Sequence, residues 1–165
     1  MILVSFLTQT FAQSQSNELE KPARFLGLWK TEGTFKDTPY SKAHTSKSEM
    51  TCDWTPNHGF LLCDQIIHTP DRSKDDLSIY TYNQQSNAFS FFGLSPDDTE
   101  ARTTKLTTED NLWTYSDEGT EGGKHIRFRT TNKFTTPTTM NWRSEYSEDG
   151  VHWILMGDGT DTRVR

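Results

Sequence analysis

Only two cysteines occur in the chain, and neither a second pair nor a histidine stands beside them at ligand spacing, which excludes a zinc finger or ribbon. The phosphate-binding loop, the dinucleotide fingerprint and the Gly-x-Ser-x-Gly elbow are all missing, so the commonest nucleotide-binding and hydrolase signatures are excluded too. Seventeen Lys and Arg face 23 Asp and Glu, a net charge of -6, and the cations are dispersed. A phosphate-tracking surface needs clustered positive charge, so no nucleic-acid partner is expected. Beyond the N-terminus no stretch approaches the ~20 apolar residues of a membrane span. Nothing in the spacing of His, Cys, Asp or Glu calls for a metal or other cofactor.

What is present points to sheet. The apolar fraction is only 32% while aromatics reach 12%, and threonine is abundant, as in an antiparallel sheet whose core uses few but large side chains. The opening MILVSFLTQTFA is apolar and runs into polar QSQSNELEK, with a small residue, Ala12, where a signal peptidase would cut. Residues 1–16 are therefore read as a signal peptide or leader remnant and 17–165 as one domain, secreted or periplasmic.

The stretch TCDWTPNHGFLLCDQ, residues 51–65, reads as a hairpin turning at Pro56-Asn57-His58-Gly59. Folding there sets Trp54 against Leu61 and Cys52 against Cys63, close enough for a disulfide if the pair is not hydrogen-bonded; two buried thiols are the alternative. A leader and a bridge support each other, since disulfides persist in oxidising compartments.

Residues 17–28 carry Pro22, Phe25 and Leu26 and read as a short helix or turn ending near Gly27. Period-two alternation then predicts strands over 29–35, 47–55, 60–68, 77–83, 88–94, 101–107, 112–116, 125–134, 139–146 and 151–157, with a polar loop over 36–48 covering one mouth. With no long helix to make parallel crossovers, the chain should form an all-β, closed antiparallel up-and-down barrel of about eight to ten strands with a short N-terminal helix. A tight turn at Asp149-Gly150 would pair Tyr146 with Val151, Ser144 with Trp153, Trp142 with Leu155 and Glu145 with His152. One face is then aromatic, and the other gathers His125, Arg127, Arg129, Arg143, Glu145 and His152.

Gly27-Leu28-Trp29, Cys52-x-Trp54, Gly59-Phe60-Leu61-Leu62-Cys63-x-Gln65 and Ser147-x-Asp149-Gly150-x-x-Trp153 with a terminal Arg resemble a group of uncharacterised bacterial lipocalin-like proteins of the calycin class. The resemblance implies a closed barrel with no settled activity, in which Trp29 plugs the closed end beneath Arg163 or Arg165 of the last strand. The segment GLWKTEG, residues 27–33, also resembles the opening of nitrobindin-type haem barrels, which would need a late histidine; here that is His152.

The leading expectation is a barrel that binds a small, largely apolar or aromatic ligand, with Trp54, Trp113, Trp142, Tyr146 and Tyr80 as contacts. Three others stand beside it: an enzyme using Glu145 and His152 with Arg127 or Arg129, haem or nitric oxide binding through His152, and a purely structural interaction module. The polar face reads as the barrel's exterior, because the large aromatics have nowhere else to go. His44, His58 and His68 read as single exposed histidines.

Overall fold

In the computed structural model, which describes residues 18, 20–97 and 101–164, ten strands pair in sequence order and the first closes on the last. They are β1 (Gly27–Phe35), β2 (His44–Trp54), β3 (Leu61–His68), β4 (Ser73–Asn83), β5 (Ala88–Leu94), β6 (Arg102–Glu109), β7 (Leu112–Glu121), β8 (Lys124–Thr136), β9 (Thr139–Ser147) and β10 (Ile154–Arg163). Every pairing is antiparallel, and β1 against β10 leaves no edge open. The expected leader falls outside the described residues. Among those described, no helix is long and apolar enough to cross a membrane.

Among the described residues, the expected N-terminal helix or turn takes the form of a short 3₁₀ segment. Lys21–Phe25 is a single 3₁₀ turn, with Pro22 at its start and Leu26 N–H bonded back to the Ala23 carbonyl. Its effect is to push Phe25 into the end of the barrel. Phe25 stacks on Tyr80 at 5.2 Å and meets Trp113 and Phe134 edge-on at 5.0 and 5.1 Å. Trp29 lies beside it, donating Nε1–H to the Phe25 carbonyl at 2.7 Å, with the Arg163 guanidinium 5.0 Å from its ring. Arg163 also donates to the carbonyls of Leu26 and Pro137, so strand β10 is tied to the floor. Trp29, Trp113, Phe25, Phe134 and Leu61 are all essentially fully buried, and this end is solid.

Inward and outward positions alternate along the strands, with register shifts at Leu155/Gly157 in β10 and Phe134/Thr136 in β8. On β2, Ser46, Ser48, Met50, Cys52 and Trp54 share the inner face. The β2–β3 hairpin has the expected register, with Cys52 opposite Cys63 and Trp54 opposite Leu61. Thr55 N–H bonds to the Phe60 carbonyl and closes the turn. Cys52 and Cys63 form a disulfide with Cα atoms 4.0 Å apart, the close spacing of a non-hydrogen-bonded pair. The bridge closes a loop with a separation of 11 residues, for which chain entropy gives up to about 3 kcal/mol. Replacing both cysteines by alanine should therefore lower the urea midpoint while preserving the far-ultraviolet dichroism of the sheet. An unchanged midpoint would show that the bridge does not stabilise the fold.

The last hairpin departs from expectation. Tyr146 pairs with Ile154, Glu145 with Leu155 and Trp142 with Gly159, and β10 runs on to Arg163 instead of ending at 157. The cause is local. Asp149 Oδ1 accepts the N–H groups of Val151 and His152, and Ser147 Oγ accepts that of Gly150, so a wide capped loop over 148–153 replaces the two-residue turn. Trp153 is thereby moved to the outer face, where the Arg129 guanidinium lies 4.0 Å from its ring. The 36–48 segment is likewise only partly loop, because His44 already pairs with Phe35.

Candidate functional site

Ten strands enclose more space than their inward side chains fill. Above the aromatic floor lies a lumen of about 830 Å³, within the range of small-molecule sites. The loops joining β1 to β2, β3 to β4, β7 to β8 and β9 to β10 all lie at the end opposite Phe25, and the lumen faces them.

Its apolar wall is built from Trp142, Phe35, Met50 and Phe91. Trp142 lies flat because the neighbouring inward positions are glycines. A Cβ on Gly33 would stand 2.2 Å from Trp142 Cζ2, and one on Gly159 would stand 2.6 Å from Nε1. No larger residue at either position leaves room for the indole. Phe35 packs against Trp142 at 5.4 Å and stacks on His44 at 4.7 Å, near the mouth.

The polar lining is deeper. Ser48 accepts a hydrogen bond from Gln65 Nε2 at 2.7 Å. The Tyr80 and Tyr115 hydroxyls meet at 2.9 Å, and both residues are buried. Asp161, on the inner face of β10 opposite Thr31, is only 5% exposed. Burial pushes its carboxyl up to about 6, against a smaller opposing effect of the Thr31 hydrogen bond. Burial also raises both tyrosine hydroxyls well above their ordinary value, and the nearby Asp161 charge adds to this. At the rim, Lys74 and Asp76 face each other at 3.4 Å. The 36–43 loop crosses one side of the mouth, with Tyr40 packed on Tyr146 at 4.6 Å and its hydroxyl donating to Glu148, which Lys124 also holds.

Of the five aromatic contacts expected, Trp142 and Tyr80 line the lumen. Trp54, Trp113 and Tyr146 do not. Trp54 stacks on His58 at the closed end, Trp113 lies under Phe25, and Tyr146 sits beneath Tyr40. They point inward, but into solid packing.

The polar face of β8 and β9 is on the outside. Glu145 is 6% exposed because Arg129 and Arg143 close over it, at 2.6 and 2.9 Å, with Trp153 covering Arg129. His125 and Arg127 pair loosely with Glu118. His152 is not beside Glu145 as expected; it is on the exposed capped loop, bonded to Asp149 at 2.6 Å, which raises its pKa and lowers that of Asp149. The Glu145–His152 pair needed by the enzyme reading is therefore not assembled, and His152 stands outside the lumen, where it cannot hold a haem within it. Among the described residues, no group of three or more His, Cys, Asp or Glu is placed to hold a metal ion.

Sequence alone did not single out Asp161, Tyr115, Gln65 or Asn132 as lining residues. The signal for Asp161 was present in the run Gly157, Gly159, Asp161 and Arg163, which alternates with exposed residues, but it lies beyond the strand end expected at 157.

No protein-family model and no curated protein sequence matches the chain. Solved structures do share the barrel. Rv2717c from M. tuberculosis superposes with a TM-score of 0.62 at 12% identity, covering 89% of this chain and 97% of that one. The S-type phycobiliprotein lyase CPES from Guillardia theta gives a TM-score of 0.57 at 9% identity, covering 98% and 99%. At such identities the likeness is one of fold.

Proposed function

We propose that the chain is a lipocalin-like binding barrel that takes a small molecule with an apolar or aromatic body into its lumen. The observation that carries this is the 830 Å³ lumen with Trp142 laid against a glycine wall beside Phe35, Met50 and Phe91. A flat apolar wall above a sparse set of buried polar groups is the arrangement that binds and orients a small ligand. Trp142 and Tyr80 are its expected contacts. Tying Cys52 to Cys63 favours an oxidising compartment, and so a secreted or periplasmic site of action.

Titration with Nile red, naphthalene derivatives and medium-chain fatty alcohols tests the reading. At least one should bind saturably, with a change in tryptophan emission. Trp142→Ala should weaken it roughly tenfold or more, the loss expected for one buried aromatic contact. No saturable binding across the panel would overturn the proposal.

A further inference from the structure

The floor of the lumen combines a carboxylate with an aromatic enclosure, and that combination selects one ligand chemistry. Resting on the binding-barrel reading above, we propose that the floor is a subsite for a cationic nitrogen, a protonated amine carried on the ligand's apolar body, which docks on Asp161 between the rings of Tyr80, Tyr115 and Phe91.

Three observations support it. Asp161 lines the lumen and is 95% buried by its 5% exposure; among the described residues its one side-chain hydrogen-bond partner is the hydroxyl of Thr31, and no salt bridge reaches it. The described cations that border the lumen are engaged elsewhere: Lys74 with Asp76, Arg102 opposite Gly93 with a partner of its own, and Arg129 turned outward to Glu145 and Trp153, while Arg163 sits below, over Trp29. A buried carboxylate ordinarily has a cationic or multiply hydrogen-bonded partner. Beside it, Phe91 meets Tyr80 and Tyr115 edge-on, each at 5.0 Å, and the two tyrosine rings are 6.4 Å apart, with Phe25 stacked beneath Tyr80. Ring faces attract a cation through their quadrupole, and the paired tyrosine hydroxyls supply acceptors for further N–H groups. An anionic ligand head would instead meet a like charge in a poorly solvated site.

The test uses three probes with one body: 2-(1-naphthyl)ethylamine, 2-(1-naphthyl)ethanol and 3-(1-naphthyl)propanoate, titrated calorimetrically near neutral pH. The amine should bind the wild type roughly tenfold or more tighter than the alcohol, as expected for a charge-assisted hydrogen bond, with the carboxylate weakest. Asp161→Asn, nearly isosteric, should abolish the amine's preference and leave the alcohol's affinity within about threefold. Equal wild-type affinities for amine and alcohol, or a preference that survives in Asp161→Asn, would overturn the cation subsite and leave the binding barrel standing. Failure of all three probes to bind would count against both.

Discussion

Phe25→Ala should destabilise the barrel by about 3–5 kcal/mol, the range for deleting a large buried aromatic side chain. Phe25 is 1% exposed and is the contact shared by Tyr80, Trp113 and Phe134, three residues from three different strands. A cavity left there cannot collapse easily, because each neighbour is held by its own strand and the ring opposite it. The hydrogen bond from Trp29 Nε1 to residue 25 uses the backbone carbonyl and survives the substitution, so the loss is one of packing. The floor also separates the lumen from the closed end, so ligand affinity should fall along with stability. Phe25→Leu should recover much of the stability, whereas Phe60→Ala, at a 47% exposed position, should change it by less than about 0.5 kcal/mol. Urea denaturation of the three variants is the measurement. A Phe25→Ala midpoint close to the wild type would show that the 3₁₀ turn is a loose cap and not a plug.

The contrast between Phe25 and Asp161 shows where sequence reading succeeds and where it stops. Alternation, turn chemistry and the absence of long helices were enough to order the strands and to call a closed meander. At Cys52–Cys63, two cysteines and a Pro-Asn-His-Gly turn agreed on one register, and that register is the one formed. At the C-terminal hairpin the same kind of reasoning slipped. Asp-Gly suggests a two-residue turn, but the Asp149 carboxylate spends itself capping backbone N–H groups, which lengthens the loop and carries Trp153 to the outside. That slip also cut β10 short and hid Asp161. Period two tells which way a side chain points, not how deep it lies. Trp113 and Trp142 follow the same alternation, yet one is sealed under Phe25 and the other bounds the lumen. The difference comes from Gly33 and Gly159, on strands far from Trp142 in sequence, or far in expected register.

Asp161→Asn should stabilise the protein near neutral pH by up to about 3 kcal/mol, and that advantage should vanish as the pH falls to about 4. The sign follows from where the proton is held more tightly. The folded-state carboxyl titrates at about 6, above its ordinary value of 3.8, because burial disfavours its charge. Between those values the native state binds more protons than the unfolded chain, so stability conferred by the protonated form is fully present below about pH 4 and is lost as the pH rises through 6. Asparagine keeps the shape and carries no charge, so it escapes that loss. Taking the difference in unfolding free energy between variant and wild type at each pH cancels the titration of groups common to both, including the Asp149–His152 pair on its exposed loop. A difference independent of pH would mean that water in the lumen solvates the carboxylate. A difference that grows from pH 4 to pH 7 would mean that the fold carries an ionised carboxylate at a net cost in stability, at a position where an uncharged side chain of the same size fits better. Stabilising substitutions of that kind are characteristic of residues kept for function. A cation delivered by a ligand would offset the same cost, so saturating 2-(1-naphthyl)ethylamine should raise the wild-type melting temperature more than that of Asp161→Asn.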